Sequence, residues 1–248
     1  MKVSVIVTTF NKPQYLRWTL ASIRWQKVFP DEVVIADDGS SIETQEVIRE
    51  YRENYPCPIK HSWISDLGFR LSRSRNCAVK KACGDLLLFV DGDCVLAGDY
   101  VQRAVKLASD KVLLNGSRKL LSTSVTEELL SVEPKFEVVE VLFSGRKFWR
   151  FDAPIVRDFP RRSWSVFRGF SMGIPRSIFE VNGGFDESYQ SWGLEDSDFA
   201  VRALSNGARI RDGRYALSMI HLHHAEPTKG EQSKNALRFQ ELLKEIGV

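Results

Sequence analysis

From residue 86 to residue 93 the chain reads Leu-Leu-Leu-Phe-Val-Asp-Gly-Asp, five apolar residues followed at once by two carboxylates with a glycine between them. An uninterrupted apolar run of this length suits a central strand covered on both faces, because a strand with one wet face would alternate. Parallel strands need crossover helices on the faces of the sheet, so the run points to the α/β class. Ligands of such sheets bind beyond the carboxyl ends of the strands, where Asp91 and Asp93 fall. Two hard oxygen donors with no basic residue between them suit a divalent cation, which in turn serves to hold phosphate oxygens. A plain strand followed by an Asp-Gly turn has the same letters, so the metal reading needs support from elsewhere in the chain.

The first half repeats a strand-then-helix rhythm. Val3, Val5 and Val7 alternate with Ser4, Ile6 and Thr8, and Pro13 can open a helix carrying Leu16, Leu20 and Ile23 on one face. A second strand over 32–38 precedes a charged amphipathic helix over 42–55, and a third strand follows at 59–64. Leu71, Ala78, Val79 and Ala82 keep helical spacing into Gly84, read as the helix stop. This alternation predicts a doubly wound sheet. Further on, 100–108 and 195–206 read as helices, the latter with Gly207 as its cap, while 111–116 and 209–220 read as β. An amphipathic helix over 232–246 follows.

Residues 144–170 lack periodicity and predict a long loop. It carries Arg146, Lys147, Arg150, Arg157, Arg161, Arg162 and Arg168 interleaved with Phe148, Trp149, Phe151, Trp164 and Phe167. Loops of that length inside a domain are usually functional. Two roles fit: a lid over the substrate, which is favoured, or peripheral contact with anionic membrane lipid or a lipid-linked acceptor.

With 248 residues, 43% of them hydrophobic and 27% charged, the chain has the material for one large domain with its own core. A net charge of +3 is too mild for a nucleic-acid partner, which normally demands a concentrated basic face. Cys57, Cys77, Cys83 and Cys94 show no CxxC spacing, so a reducing compartment is expected. No leader pattern and no apolar run near ~20 residues is found, giving a cytoplasmic expectation, with the inner face of the membrane as a second location.

Three acidic clusters stand at strand ends or a helix start: Asp37-Asp38, Asp91-Gly92-Asp93 and Glu195-Asp196. Parallel packing brings the first two to one sheet edge, as a nucleotide site requires. The Gly-x-Gly-x-x-Gly and Walker patterns are absent, so phosphate charge must be met by metal and arginine. Acids in a helix's first turn have an ordinary explanation in the helix dipole. Before Glu195 and Asp196, however, stands Trp192-Gly193-Leu194, an aromatic ring and a flexible glycine suited to a sugar face. His221, His223 and His224 lie on a β-like segment, so at least one faces the crevice as a metal ligand or proton carrier.

In combination these motifs resemble family 2 glycosyltransferases of the GT-A fold, over residues 2–230. Val5-Ile6-Val7-Thr8-Thr9-Phe10-Asn11 and Val34-Ile35-Ala36-Asp37-Asp38-Gly39-Ser40 resemble the family's nucleotide-binding opening, and Asp91-Gly92-Asp93 its DxD motif. Gly68-Phe69-Arg70-Leu71-Ser72-Arg73-Ser74-Arg75-Asn76, Gly183-Gly184-Phe185-Asp186 and Trp192-Gly193-Leu194-Glu195-Asp196 are closer to bacterial chondroitin and hyaluronan polymerase domains and to the β-1,4-galactosyltransferase-like group. The resemblance implies one Rossmann-like, doubly wound mixed sheet with flanking helices. It divides a single domain, 1–248, into a nucleotide-binding half over about 1–97, an acceptor-binding and catalytic half over about 98–230, and a C-terminal helix over 231–248.

It further implies an inverting, metal-dependent transfer of a hexosyl or N-acetylhexosaminyl unit from a UDP-sugar to a hydroxyl of a glycan or lipid-linked acceptor, in bacterial surface polysaccharide synthesis. Carried over, Thr8, Phe10, Asn11 and Asp38 serve the nucleotide, Arg70 and Arg75 the diphosphate, and Asp91, Gly92, Trp192 and Gly193 the ribose and sugar. Asp93 and His224 ligate Mn²⁺ or Mg²⁺, with His221 as the fallback. His224 precedes Ala225-Glu226-Pro227 as the polymerases' metal histidine precedes its Glu-Pro. Asp196 is the base and Glu195 positions hydroxyls. A single transferase module, where the polymerases carry two, implies one addition per encounter. A sugar-phosphate nucleotidyltransferase and a catalytically silent nucleotide-binding scaffold remain as alternatives.

Overall fold

The computed structural model describes residues 1–144, 163–225 and 232–247. Strands β1 (Val3–Thr9), β2 (Glu32–Asp37), β3 (Ile59–Trp63), β4 (Leu86–Asp91), β6 (Val112–Asn115), β8 (Ser171–Pro175) and β9 (Arg209–Asp212) form a seven-stranded sheet in the order β3-β2-β1-β4-β8-β6-β9. Within it β8 runs antiparallel to both β4 and β6, and the other pairs are parallel. The expected mixed α/β sheet is therefore present.

Every residue of β1 is buried, polar ones included. Its alternation sorts side chains between two apolar layers. Val3, Val5 and Val7 join Leu16, Leu20 and Ile23 of α1 (Pro13–Arg24), Val47 and Ile48 of α2 (Ile42–Glu53), and Tyr100, Val101 and Ala104 of α4 (Tyr100–Leu107). Ile6 faces the other way, towards Ala78 and Val79 of α3 (Leu71–Lys81) and Phe179, Phe199 and Ala203 from helices Arg176–Val181 and Glu195–Ser205. Side chains like Leu or Phe contribute about 1.5–3 kcal/mol each when fully buried, so these two layers dominate the fold.

A second, three-stranded sheet, β5-β10-β7, joins Cys94–Leu96, Ser218–His221 and Ser117–Leu120. With helices Thr123–Leu130 and Phe136–Ser144 it encloses a third apolar cluster around Trp18, whose Nε1 donates to the Leu129 carbonyl at 3.1 Å.

Two expectations are corrected. Helix α3 stops at Lys81, and Ala82 is already extended (φ −78°, ψ 149°). Gly84 serves instead as a close-approach site, since a Cβ there would lie 2.5 Å from Ser4 N. The β-like run 209–220 is two strands in two different sheets, separated by a turn in which Leu217 N donates to Gly213 O at 2.6 Å. Of the expected loop over 144–170, Ser144 is the last residue of a helix and 163–170 hold one short 3-10 turn, Trp164–Val166; there Phe167 is fully buried and Trp164 packs edge-on against Phe239 at 4.9 Å. The lid and membrane readings rest on Arg146, Lys147, Phe148, Trp149, Arg150, Phe151, Arg157, Arg161 and Arg162, which lie outside the described residues, as do Glu226 and Pro227.

Candidate active site

Strand order reverses between β1 and β4, and the parallel register sets Thr9 beside Asp37 on one flank and Thr8 beside Asp91 on the other. Beyond these ends opens a cavity of about 690 Å³. Its wall includes Thr8, Phe10, Asp38, Asp91, Gly92, Asp93 and Trp192, together with His221, His223 and His224. Asn11, Arg70, Arg75, Gly193, Glu195 and Asp196 are not part of that wall.

The turn carrying the two aspartates packs directly onto β1. Gly92 N donates to Thr8 O at 2.7 Å, and a Cβ on Gly92 would sit 2.5 Å from that oxygen, so only glycine fits between the carboxylates. Thr8 Oγ1 donates to Asp91 Oδ1 at 3.0 Å. Burial and the neighbouring charge of Asp93 push the Asp91 carboxyl up.

Asp93 gathers three basic nitrogens. His221 Nε2 lies 3.3 Å from Oδ1, while His224 Nε2 and Lys12 Nζ lie 3.0 and 3.2 Å from Oδ2. Burial would raise this carboxyl, but hydrogen bonds from both imidazoles hold it well below the ordinary range. The bond to Asp93 correspondingly raises His224. The histidines arrive by strand pairing: β10 runs antiparallel to β5 with His221 opposite Cys94, and Leu222 N donates to Asp93 O at 2.9 Å. Asp93, Cys94 and His221 bring donor atoms within 4.8 Å of one another, and His221 Nδ1 is buried without a partner. A carboxylate flanked by two imidazoles offers mixed oxygen and nitrogen donors, a set that suits a first-row divalent ion such as Mn²⁺ better than Ca²⁺. His221 and His224 reach Asp93 alike.

On the other flank Asp37 is fully buried, bound to His61 Nε2 at 2.8 Å and accepting Ser40 N at 2.8 Å. Asp38 accepts Arg70 N at 2.7 Å through Oδ2, and its Oδ1 is buried without a partner. Burial raises this carboxyl, against the pull of Arg70. Asn11 ties two loops together, accepting Ser41 N at 2.8 Å and donating its own N–H to Ser40 Oγ at 3.0 Å. The Arg70 guanidinium is bound to Ser65 O.

Trp192, half exposed, and Gly193 (φ +97°) lead into Leu194, which holds φ +76° at the start of helix Glu195–Ser205. Left-handed backbone at a non-glycine residue stores strain and turns the chain sharply, so Glu195 and Asp196 open the helix facing the β8 approach. Asp196 Oδ2 accepts Gly169 N at 2.6 Å, and Oδ1 accepts Ser197 N at 2.6 Å. Glu195 is buried with Oε2 unpartnered; burial, then the Asp196 charge, push it up to about 7 against the opposing Arg75. Arg75 donates to Glu195 Oε1 and Gly169 O, each at 3.0 Å, and lies 3.6 Å from Asp91 Oδ1. Lys12 and Arg118 also line the cavity and were not singled out from sequence. Lys12 directly follows the Phe10-Asn11 motif, whereas Arg118 sits on a strand too short to show a pattern.

The family described as Glycosyl transferase family 2 matches residues 4–151, and the family described as the N-terminal domain of galactosyltransferase matches residues 156–225. The hyaluronan synthase of Pasteurella multocida is 30% identical over 244 residues, covering 91% of this chain and 24% of the synthase. The chain spans about half or less of the length of the first curated relatives it matches. Among solved structures, S. aureus TarS 1–349 aligns with a TM-score of 0.67 at 23% identity, covering 99% of this chain and 64% of that one. GalNAc-T7, solved with UDP, GalNAc and Mn²⁺, aligns at 0.72 with 17% identity, covering 98% and 48%. These structural likenesses are likenesses of fold, and they agree with GT-A.

Proposed function

The chain belongs to glycosyl transferase family 2, and from that premise we propose that it is an inverting, metal-dependent transferase moving a sugar from a UDP-sugar to a hydroxyl of a glycan or lipid-linked acceptor. The observation that carries the reading is the grip of His221 and His224 on Asp93, at 3.3 and 3.0 Å, in the wall of a cavity at the β1/β4 switch point. UDP with Mn²⁺ in GalNAc-T7 supports the donor and ion as the first to try.

In this reading Asp93, with His224 and His221 as the available imidazoles, would hold Mn²⁺ or Mg²⁺, which when bound offsets charge on the departing diphosphate. Asp38 offers its unpartnered Oδ1 to a uracil N–H, with Thr8 and Phe10 beside it. Trp192 presents a ring to the sugar. Asp196 Oδ2, which accepts one hydrogen bond, from Gly169, takes the proton of the acceptor hydroxyl as that oxygen attacks the anomeric carbon opposite UDP, inverting it. Arg75 acts by holding Glu195 and Asp91 in place. Residues 1–97 serve the nucleotide, residues 98–230 the acceptor and catalysis, and 231–248 close the domain.

Surface polysaccharide synthesis in the cytoplasm is the setting this reading favours. Among the described residues the cysteines are free thiols and no helix is long and apolar enough to cross a membrane. Incubation with a panel of UDP-sugars, Mn²⁺ and acceptors tests the proposal: the transferase releases UDP and yields a glycosylated product. Release of pyrophosphate identifies a nucleotidyltransferase, and no product identifies a scaffold.

A further inference from the structure

Arg118 lies on the β7 strand Ser117–Leu120, which pairs in parallel with Ser218–His221 so that Arg118 stands opposite Met219 and Leu120 opposite His221. Paired residues, and residues two apart, share a sheet face, so Arg118 is on the face that His221 turns towards Asp93. Its guanidinium carbon lies over the Phe170 ring, 4.5 Å from the centroid, a cation–π contact that holds the charge in place.

Three basic groups already considered for the site are engaged. Lys12 pairs with Asp93, Arg75 with Glu195 and Gly169, and the Arg70 guanidinium with Ser65. Among the described residues no carboxylate pairs with Arg118, although it lines the same cavity as Asp91 and Asp93. An exposed guanidinium that rests on an aromatic ring and that no described carboxylate neutralises is a receptor for a planar or tetrahedral oxyanion.

We propose that Arg118, held on Phe170, forms an anion subsite that takes the diphosphate of the donor. The assignment deepens the donor reading above and rests on it for the identity of the nucleotide. An anion entering a wall that already holds two aspartates must bring more than one negative group to share between a cation at Asp93 and the fork of Arg118. A diphosphate does so, and a single acceptor carboxylate does not.

Calorimetry on the full chain tests this with UDP and Mn²⁺, with uridine, with inorganic pyrophosphate in metal-free buffer, and with a monocarboxylic sugar acid. Arg118→Gln is expected to weaken UDP and pyrophosphate about 10- to 100-fold, the scale of a lost charge-assisted contact, and to leave uridine unchanged. Phe170→Leu, which keeps apolar packing but removes the ring, should fall between wild type and Arg118→Gln. Equal pyrophosphate affinity in wild type and Arg118→Gln, or no binding by either, overturns the subsite. So does loss confined to the sugar acid, which would make Arg118 an acceptor residue. If pyrophosphate responds to Arg118 while UDP fails to bind the wild type, the subsite stands and the uridine donor falls.

Discussion

Arg75 and Glu195 are 120 positions apart in sequence and meet in a 3.0 Å ion pair with 1% and 7% of their side chains exposed. The same guanidinium donates to Gly169 O and lies 3.6 Å from Asp91, so one buried cation joins the end of β4, the approach to β8 and the helix that opens at Glu195. Removing one member of a buried pair costs about 3–5 kcal/mol, because the remaining charge has no partner. Arg75→Ala should therefore lower the urea-unfolding free energy by that order. Arg75→Lys should recover little, since an ammonium cannot span three acceptors in a plane. Arg75→Ala combined with Glu195→Gln should be more stable than Arg75→Ala alone. Equal stability of the single and double variants would show that the pair is not what the arginine supports.

Asp93→Ala takes away the group that His221, His224 and Lys12 share. Loss of a metal-orienting neighbour typically costs 10–100-fold in affinity, so loss of the proposed ligand itself should weaken Mn²⁺-dependent UDP binding by about 100-fold or more. Calorimetry with and without Mn²⁺ measures it, and circular dichroism should show the fold retained. Unchanged UDP affinity would detach Asp93 from the metal.

The first five elements were legible because each is a local pattern: Val3 to Val7 alternate, Pro13 opens a helix, and 33–36 form an apolar strand before Asp37. The second sheet was not, because its strands are three or four residues long and gain stability only by pairing with one another. The convergence of His221 and His224 on Asp93 depends on that pairing, so residues alone gave only histidines facing a crevice, and the family resemblance supplied the rest. Arg75 illustrates the opposite case. Its motif marks it as close to the site, but burial against Glu195 and Gly169, invisible in sequence, turns it from the cavity wall.

Asp196 accepts one backbone N–H at each carboxylate oxygen, from Gly169 and Ser197, and an additional bond from Ser197 Oγ at 3.2 Å. An amide of the same shape can keep part of this network while losing the ability to accept a proton. Asp196→Asn should thus bind UDP as the wild type does and turn over about two to four orders of magnitude more slowly. Steady-state kinetics alongside calorimetry separates the two effects, and near-normal turnover would remove Asp196 from the role of base.

Away from the cavity, Glu32 ties three segments together. It is 2% exposed, accepting Ser4 Oγ at 2.6 Å and Cys83 N at 2.5 Å through Oε1, while Oε2 pairs with Lys60 at 2.6 Å. Burial alone would raise this carboxyl, but the bonds from Lys60, Ser4 and Cys83 prevail and lower it from 4.5 to about 2. Between those values the unfolded chain binds the extra proton, so stability increases with pH across the window and the contribution is complete above pH 4.5. Its full size is on the order of 3 kcal/mol, less whatever Lys60, itself partly exposed, regains in water. Glu32→Gln should accordingly be less stable than wild type by about 2 kcal/mol at pH 7, and the gap should close as pH falls from 4.5 towards 2. Urea midpoints measured across that range decide it, because a gap that stays constant would mean that Glu32 contributes through packing and not through its charge.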